Sequence, residues 1–129
     1  MIQSIEHVAV VADDPKALAE WYCGTLRFEM VESRKDSQTY FIGLSGGGVL
    51  EILPSNKASR TDQDARDAGI RHIALTVEDF DAVYQDLAER GIAFAGPKVD
   101  LPDGTQMDFF PDPEGNILQL IFRPQALGE

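Results

Sequence analysis

The 129-residue chain has two histidines. Both occupy the third position of the same phrase: IEHVAVVADD at 5–14 and IRHIALTVED at 70–79. A second matched pair is polar, since VLEIL at 49–53 and ILQLI at 117–121 set Glu51 against Gln119. The histidines stand 65 positions apart (72 against 7), and Glu51 and Gln119 stand 68 apart (119 against 51). Two neutral imidazoles, one carboxylate and one amide oxygen form a donor set for a divalent ion. Their single negative charge leaves such an ion with about one net positive charge toward an incoming ligand. A strand histidine taken singly is ordinarily a hydrogen-bonded core residue, and a lone buried Glu or Gln a satisfied polar group. Four such residues at duplicated positions call for a common reason. An ionised Glu51 buried without a partner would cost several kcal/mol, and a cation removes that cost.

The elements that must position these residues are legible as a duplication. After the first histidine strand, Asp14 caps a helix with Pro15 in its first turn, and Leu18, Trp21 and Tyr22 form one apolar face before Gly24. After the second, Asp79 caps a helix carrying Phe80, Val83, Tyr84 and Leu87 at helical spacing, ended by Gly91. Short strand-like runs follow in each half: RFEMVES, QTYFIGL and GVLEIL, then GIAFAG, TQMDFF and NILQLI. Each half therefore reads β-α-β-β-β. The expected organisation is one α+β domain over 1–129, built of two tandem βαβββ modules at 1–54 and 70–123 with a polar, aperiodic linker at 55–69. Strand alternation puts His7 on a face with Ile5, Ala9 and Val11, and His72 with Ala74 and Thr76. The Val, Ile and Leu positions between them turn toward the helix. Glu51 and Gln119 alternate in the same way, so all four residues are expected to converge if the modules meet about a local two-fold.

Composition excludes several partners. With 22 acidic against 11 basic residues, a net charge of −11 repels nucleic-acid phosphates and anionic bilayers. One cysteine, Cys23, offers no intrachain disulfide, and no signal-like or membrane-length apolar run occurs. A cytoplasmic setting is the expectation, with Cys23 an inert thiol on the first helix. SGGG at 45–48 lacks the lysine and the helix of a phosphate loop and reads as a hairpin turn. PDPEGN at 111–116 reads as another turn. With both histidines in the metal set, none is left for a serine–histidine–aspartate arrangement.

The paired modules, the two histidine phrases, VLEIL and the closing DPEGNILQLI resemble the vicinal oxygen chelate superfamily of glyoxalases, bleomycin-resistance proteins and extradiol dioxygenases. The likeness runs from residue 3 to about 123. It implies an open, cup-shaped mixed β-barrel with helices outside, a homodimer, and metal ligands on the first and last strand of each module. Carried over residue by residue, those positions are His7, Glu51, His72 and Gln119, the four reached above.

Departures from the family patterns bear on activity. Bacterial-type glyoxalase I carries a glutamate where Gln119 stands, and an arginine where Val11 stands. Extradiol dioxygenases and fosfomycin-resistance enzymes take their carboxylate from the Gln119 position. Methylmalonyl-CoA epimerase has the glutamine and glutamate exchanged. Here Gln119 cannot accept a proton, which leaves Glu51 as the general base. The expected function is a lyase or isomerase of the glyoxalase type. It would use zinc, nickel, cobalt, manganese or iron(II), and act on a small vicinal-oxygen substrate through a metal-stabilised enolate. The alternative is sequestration of a small molecule without turnover, as in the bleomycin-resistance members; an extradiol dioxygenase ranks below both.

Overall fold

The computed structural model describes residues 1–129. The chain divides into two compact units, Met1–Thr61 and Asp62–Glu129. The first holds β1 (Val8–Ala12), α1 (Pro15–Thr25), β2 (Glu29–Arg34), a short 3-10 turn (Lys35–Ser37), β3 (Thr39–Gly43) and β4 (Val49–Pro54). The second holds β5 (Ile73–Thr76), α2 (Phe80–Glu89), β6 (Val99–Asp100), β7 (Gln106–Pro111) and β8 (Ile117–Phe122). Each is a βαβββ module with its own four-stranded mixed sheet, in the orders β1-β4-β3-β2 and β5-β8-β7-β6. In each the first strand runs parallel to the last, and the remaining pairs are antiparallel. Residues 55–72 contain neither helix nor strand. No helix is long and apolar enough to cross a membrane.

The helices begin where their caps dictate. Asp14 Oδ1 accepts from Ala17 N–H at 3.1 Å, and Asp79 Oδ1 accepts from Ala82 N–H at 3.1 Å, each satisfying one of the four unpaired amides of a first turn. Pro15 opens α1 without losing a hydrogen bond. The expected stop at Gly24 is displaced: the helix runs on to Thr25, Arg27 takes the left-handed conformation at φ 62°, and Phe28 N–H returns to the Tyr22 carbonyl at 3.1 Å. Phe28 then packs edge-on against Tyr22, with ring centroids 5.2 Å apart. That aromatic contact favours ending the helix beyond the glycine.

One face of each sheet is covered by its helix. Val10, Ala12, Tyr40, Ile42, Leu50 and Ile52 are buried together with Leu18, Ala19 and Tyr22 of α1. In the second module Phe110, Leu118 and Leu120 are buried with Phe80 and Leu87 of α2. Each large side chain so enclosed contributes about 1.5–3 kcal/mol. The other face carries His7, Ala9, Glu51 and Phe41 in one module, and Ala74, Gln119 and Phe109 in the other, because residues alternate across a strand.

The expected strand GIAFAG at 91–96 does not form; the two-residue β6 lies at Val99–Asp100 instead. Gly91 and Gly96 both take positive φ, 91° and 35°, which interrupts an extended run at either end. Between them Phe94 stacks on Tyr84 at 4.1 Å and meets Phe110 edge-on at 5.3 Å. Its apolar character serves an aromatic cluster rather than a ladder. Under that cluster lies the buried carboxylate of Asp108, which accepts from the Tyr84 hydroxyl at 2.8 Å, Gly96 N–H at 3.1 Å and Phe109 N–H at 2.7 Å. SGGG closes β3 onto β4 through Gly47 N–H to the Leu44 carbonyl at 3.0 Å. PDPEGN joins β7 to β8 around Asp112, whose Oδ1 accepts from Glu114 and Asn116 N–H at 2.9 and 3.0 Å.

Candidate functional site

Both histidines stand one residue ahead of their strands, since the ladders begin at Val8↔Leu50 and Ile73↔Leu118. The apolar alternation of the sequence predicts both histidines inside the strands; strand ends of this kind are the least sharply defined part of an element. Their relation to the last strands is the same in both modules. Ala9, two residues past His7, pairs with Glu51; Ala74, two residues past His72, pairs with Gln119. On its other side Glu51 pairs with Phe41, and Gln119 with Phe109.

In the first module this register brings His7 and Glu51 together. Nε2 of His7 lies 3.4 Å from Glu51 Oε1, and Nδ1 lies 2.7 Å from Glu6 Oε1. The Phe41 ring meets the imidazole edge-on, with centroids 6.2 Å apart and planes at 85°. Arg34 lies with Cζ 5.0 Å from the Phe41 centroid while its Nε holds Glu32 at 2.6 Å. The Glu51 side chain is 19% exposed, screened from bulk water yet open on one side.

In the second module His72 meets Phe109 edge-on, with centroids 5.2 Å apart and planes at 73°. Gln119 is buried and donates from Nε2 to the Met107 thioether at 3.2 Å. The side chains of His72 and Gln119 thus engage Phe109 and Met107 rather than each other. The modules are unequal in charge: the first carries a histidine with carboxylates at both ring nitrogens, the second a histidine and a neutral amide.

Two donors each about 2.1 Å from a zinc ion and set at a tetrahedral angle lie about 3.4 Å apart, so the His7–Glu51 pair has the spacing of two ligands to one ion. Glu6 adds the carboxylate that commonly accepts from the far nitrogen of a ligating imidazole and fixes its tautomer. No group of three histidine, cysteine, aspartate or glutamate side chains able to hold a metal occurs, so the module offers a pair of donors and not a complete shell. Cys23 adds nothing to it: burial pushes its thiol up, away from the thiolate a ligand or nucleophile needs.

Sequence reasoning missed four residues that touch these side chains, two in each module. Phe41 and Phe109 were detectable, because they are 68 positions apart (109 against 41), the spacing of Glu51 and Gln119. Glu6 was hidden because its counterpart before His72 is Arg71. Met107 falls opposite Thr39 at the same spacing, so the duplication gave no hint of it.

The sequence matches the model of the glyoxalase/bleomycin resistance protein/dioxygenase superfamily over residues 4–120. The chain belongs to this superfamily. The Bacillus subtilis (strain 168) protein YwkD is 31% identical over 126 residues, covering 93% of this chain and 97% of YwkD. A glyoxalase family protein from Enterococcus faecalis is 31% identical and superposes with a TM-score of 0.74, covering 92% of this chain and 97% of that one. Lactoylglutathione lyase from Agrobacterium tumefaciens superposes with a TM-score of 0.71 over 94% of both chains. At 20% identity that likeness extends to the fold alone.

Proposed function

We propose that this superfamily member is a divalent-metal-dependent lyase or isomerase of the glyoxalase type, acting on a small substrate with two adjacent oxygens. The observation that carries the reading is the His7 Nε2 to Glu51 Oε1 spacing of 3.4 Å, with Glu6 on the opposite ring nitrogen. His7, Glu51, His72 and Gln119 would hold the ion, one ion for each pair of modules. A bound divalent ion would supply Lewis-acid polarisation of the substrate oxygens.

The chain's own residues divide the remaining work. Glu51 is the base, taking the proton from carbon beside a substrate carbonyl, because Gln119 is neutral and cannot accept one. The rings of His7 and His72 stand edge-on to Phe41 and Phe109, contacts that limit rotation of each imidazole. Gln119 contributes an oxygen without charge, so the four donors carry one negative charge in all.

Protein purified without chelator or polyhistidine tag should carry about one divalent ion per two modules, whether the modules pair within a chain or between chains of a homodimer. His7→Ala and His72→Ala should each weaken zinc binding by more than tenfold with little change in melting temperature. Glu51→Gln should abolish exchange of the substrate C–H proton with deuterated solvent, assayed on hydroxy-ketones, α-keto acids and methylglyoxal hemithioacetal. Unchanged zinc affinity in both histidine variants would overturn the reading. Metal-free protein whose melting temperature rises with small-molecule ligands would favour sequestration without turnover.

A further inference from the structure

Gln119 is ambiguous in a way that a carboxylate such as Glu51 is not. Its amide carries a donor end and an acceptor end of nearly the same shape, and only the oxygen can face a cation. Something must choose between the two orientations. Gln119 is 7% exposed, so bulk water is a poor arbiter. Within reach on the neighbouring strand is Met107, whose Sδ accepts from Gln119 Nε2 at 3.2 Å. Met107 pairs with Ile121 on β8, one side-chain repeat along from Gln119, so both project from the same face of the sheet.

A thioether has lone pairs and no proton. It accepts weakly and cannot donate. With the amide reversed, Oε1 would stand against the sulfur, lone pair against lone pair. The nitrogen end is thus held on Met107, and Oε1 is directed away from it. A leucine in the same place would fill the volume and leave the two orientations nearly equal.

We propose that Met107 is a positioning residue for Gln119, holding the amide so that its oxygen rather than its nitrogen is presented to a divalent cation. This rests on the metal-binding reading above. The first module needs no counterpart: Glu51 has two equivalent oxygens, and the position matching Met107 is Thr39, whose hydroxyl is engaged with Ser37. A sulfur acceptor is useful where the ligand is an amide and superfluous where it is a carboxylate.

The test is a double-mutant cycle on the full chain, titrated calorimetrically with zinc: wild type, Met107→Leu, Gln119→Ala and the double variant. Met107→Leu should weaken zinc binding by about tenfold, the lower end of the range for residues that orient a ligand. In the Gln119→Ala background the same substitution should have no effect, since no amide remains to orient. An equal loss in both backgrounds, or no loss in either, would overturn the proposal.

Nitrogen-15 spectra of the metal-free protein supply a second readout. The Gln119 side-chain amide resonances should move in Met107→Leu while other glutamine side chains stay in place. Unmoved resonances would show that the sulfur holds nothing. Should wild type bind no zinc, the metal-dependent function fails and presentation to a cation fails with it. Should wild type bind zinc and Met107→Leu bind it equally well, the function stands and the role of Met107 is refuted.

Discussion

Glu51 and Gln119 occupy the same node of two separate sheets. Each lies between an alanine two residues past a histidine and a phenylalanine on the antiparallel neighbour. What differs is the chemistry at the node. The first module sets a carboxylate against an imidazole, and the second an amide against a thioether. Duplication preserved the register while the side chains separated into one anionic and one neutral pair. Of these two pairs, only the first contains a group that can accept a proton, which is the basis for proposing Glu51 and not Gln119 as the base.

Glu6 is the residue through which this inequality can be probed at least structural cost. It is highly exposed, and its carboxylate accepts from His7 Nδ1 at 2.7 Å. Glu6→Gln should weaken zinc binding about tenfold, by loosening the tautomer that leaves Nε2 free. Stability should stay within about 0.5 kcal/mol of wild type, as for most surface substitutions. Arg71→Gln, at the corresponding place before His72, should leave zinc affinity unchanged. Calorimetric titration and thermal melts of both variants check this, and equal affinity in Glu6→Gln and wild type would deny Glu6 an orienting role.

The sequence disclosed what depends on period and on duplication. The histidine phrases, the Glu51 and Gln119 positions and the two aspartate caps all follow from repeated spacing or from alternation. It concealed what depends on where a loop carries a side chain. GIAFAG has the composition of a strand, but its glycines take left-handed conformations and Phe94 is drawn into the rings of Tyr84 and Phe110. Glu6 and Met107 were concealed for a different reason. Each contributes in one module only, and a search for matched pairs passes over them.

Asp108 and Tyr84 make the stability of the second module sensitive to alkali. The hydrogen bond to the Asp108 carboxylate, and then burial, raise the Tyr84 hydroxyl above its ordinary value of 10.0. The protonated phenol is favoured by folding. Its contribution is therefore fully present below pH 10 and is lost as pH rises through the higher value in the folded protein. Tyr84→Phe should cost about 1.5–3 kcal/mol at neutral pH, as expected for a hydrogen bond to a charged group. It should also flatten the decline in stability above pH 10. Asp108→Ala should be worse, by about 3–5 kcal/mol, because it strands the Tyr84 hydroxyl and the amides of Gly96 and Phe109. Urea melts across pH 7 to 11 give both quantities, and parallel pH profiles for wild type and Tyr84→Phe would refute the coupling.

Gln119→Glu tests the neutral ligand directly. In the metal-free protein the new carboxylate sits in a buried position beside the Met107 sulfur, acceptor against acceptor, with the former donor gone. That should lower stability by about 3 kcal/mol, the scale of an uncompensated buried charge. Zinc should reverse the loss, because a second anion then faces the cation, so the metal-induced rise in melting temperature should exceed that of wild type. The same added charge makes the bound metal a weaker Lewis acid. Turnover then separates two accounts of the glutamine. A gain in proton abstraction from methylglyoxal hemithioacetal would mean that a second base was all the chain lacked for that substrate. No gain, together with loss of activity on another vicinal-oxygen compound, would make the neutral amide part of the mechanism and Glu51 its sole base. If zinc affinity and ligand response both stay at the wild-type level, Gln119 contributes no oxygen to the ion, and the equivalence of its node with that of Glu51 is one of backbone register alone.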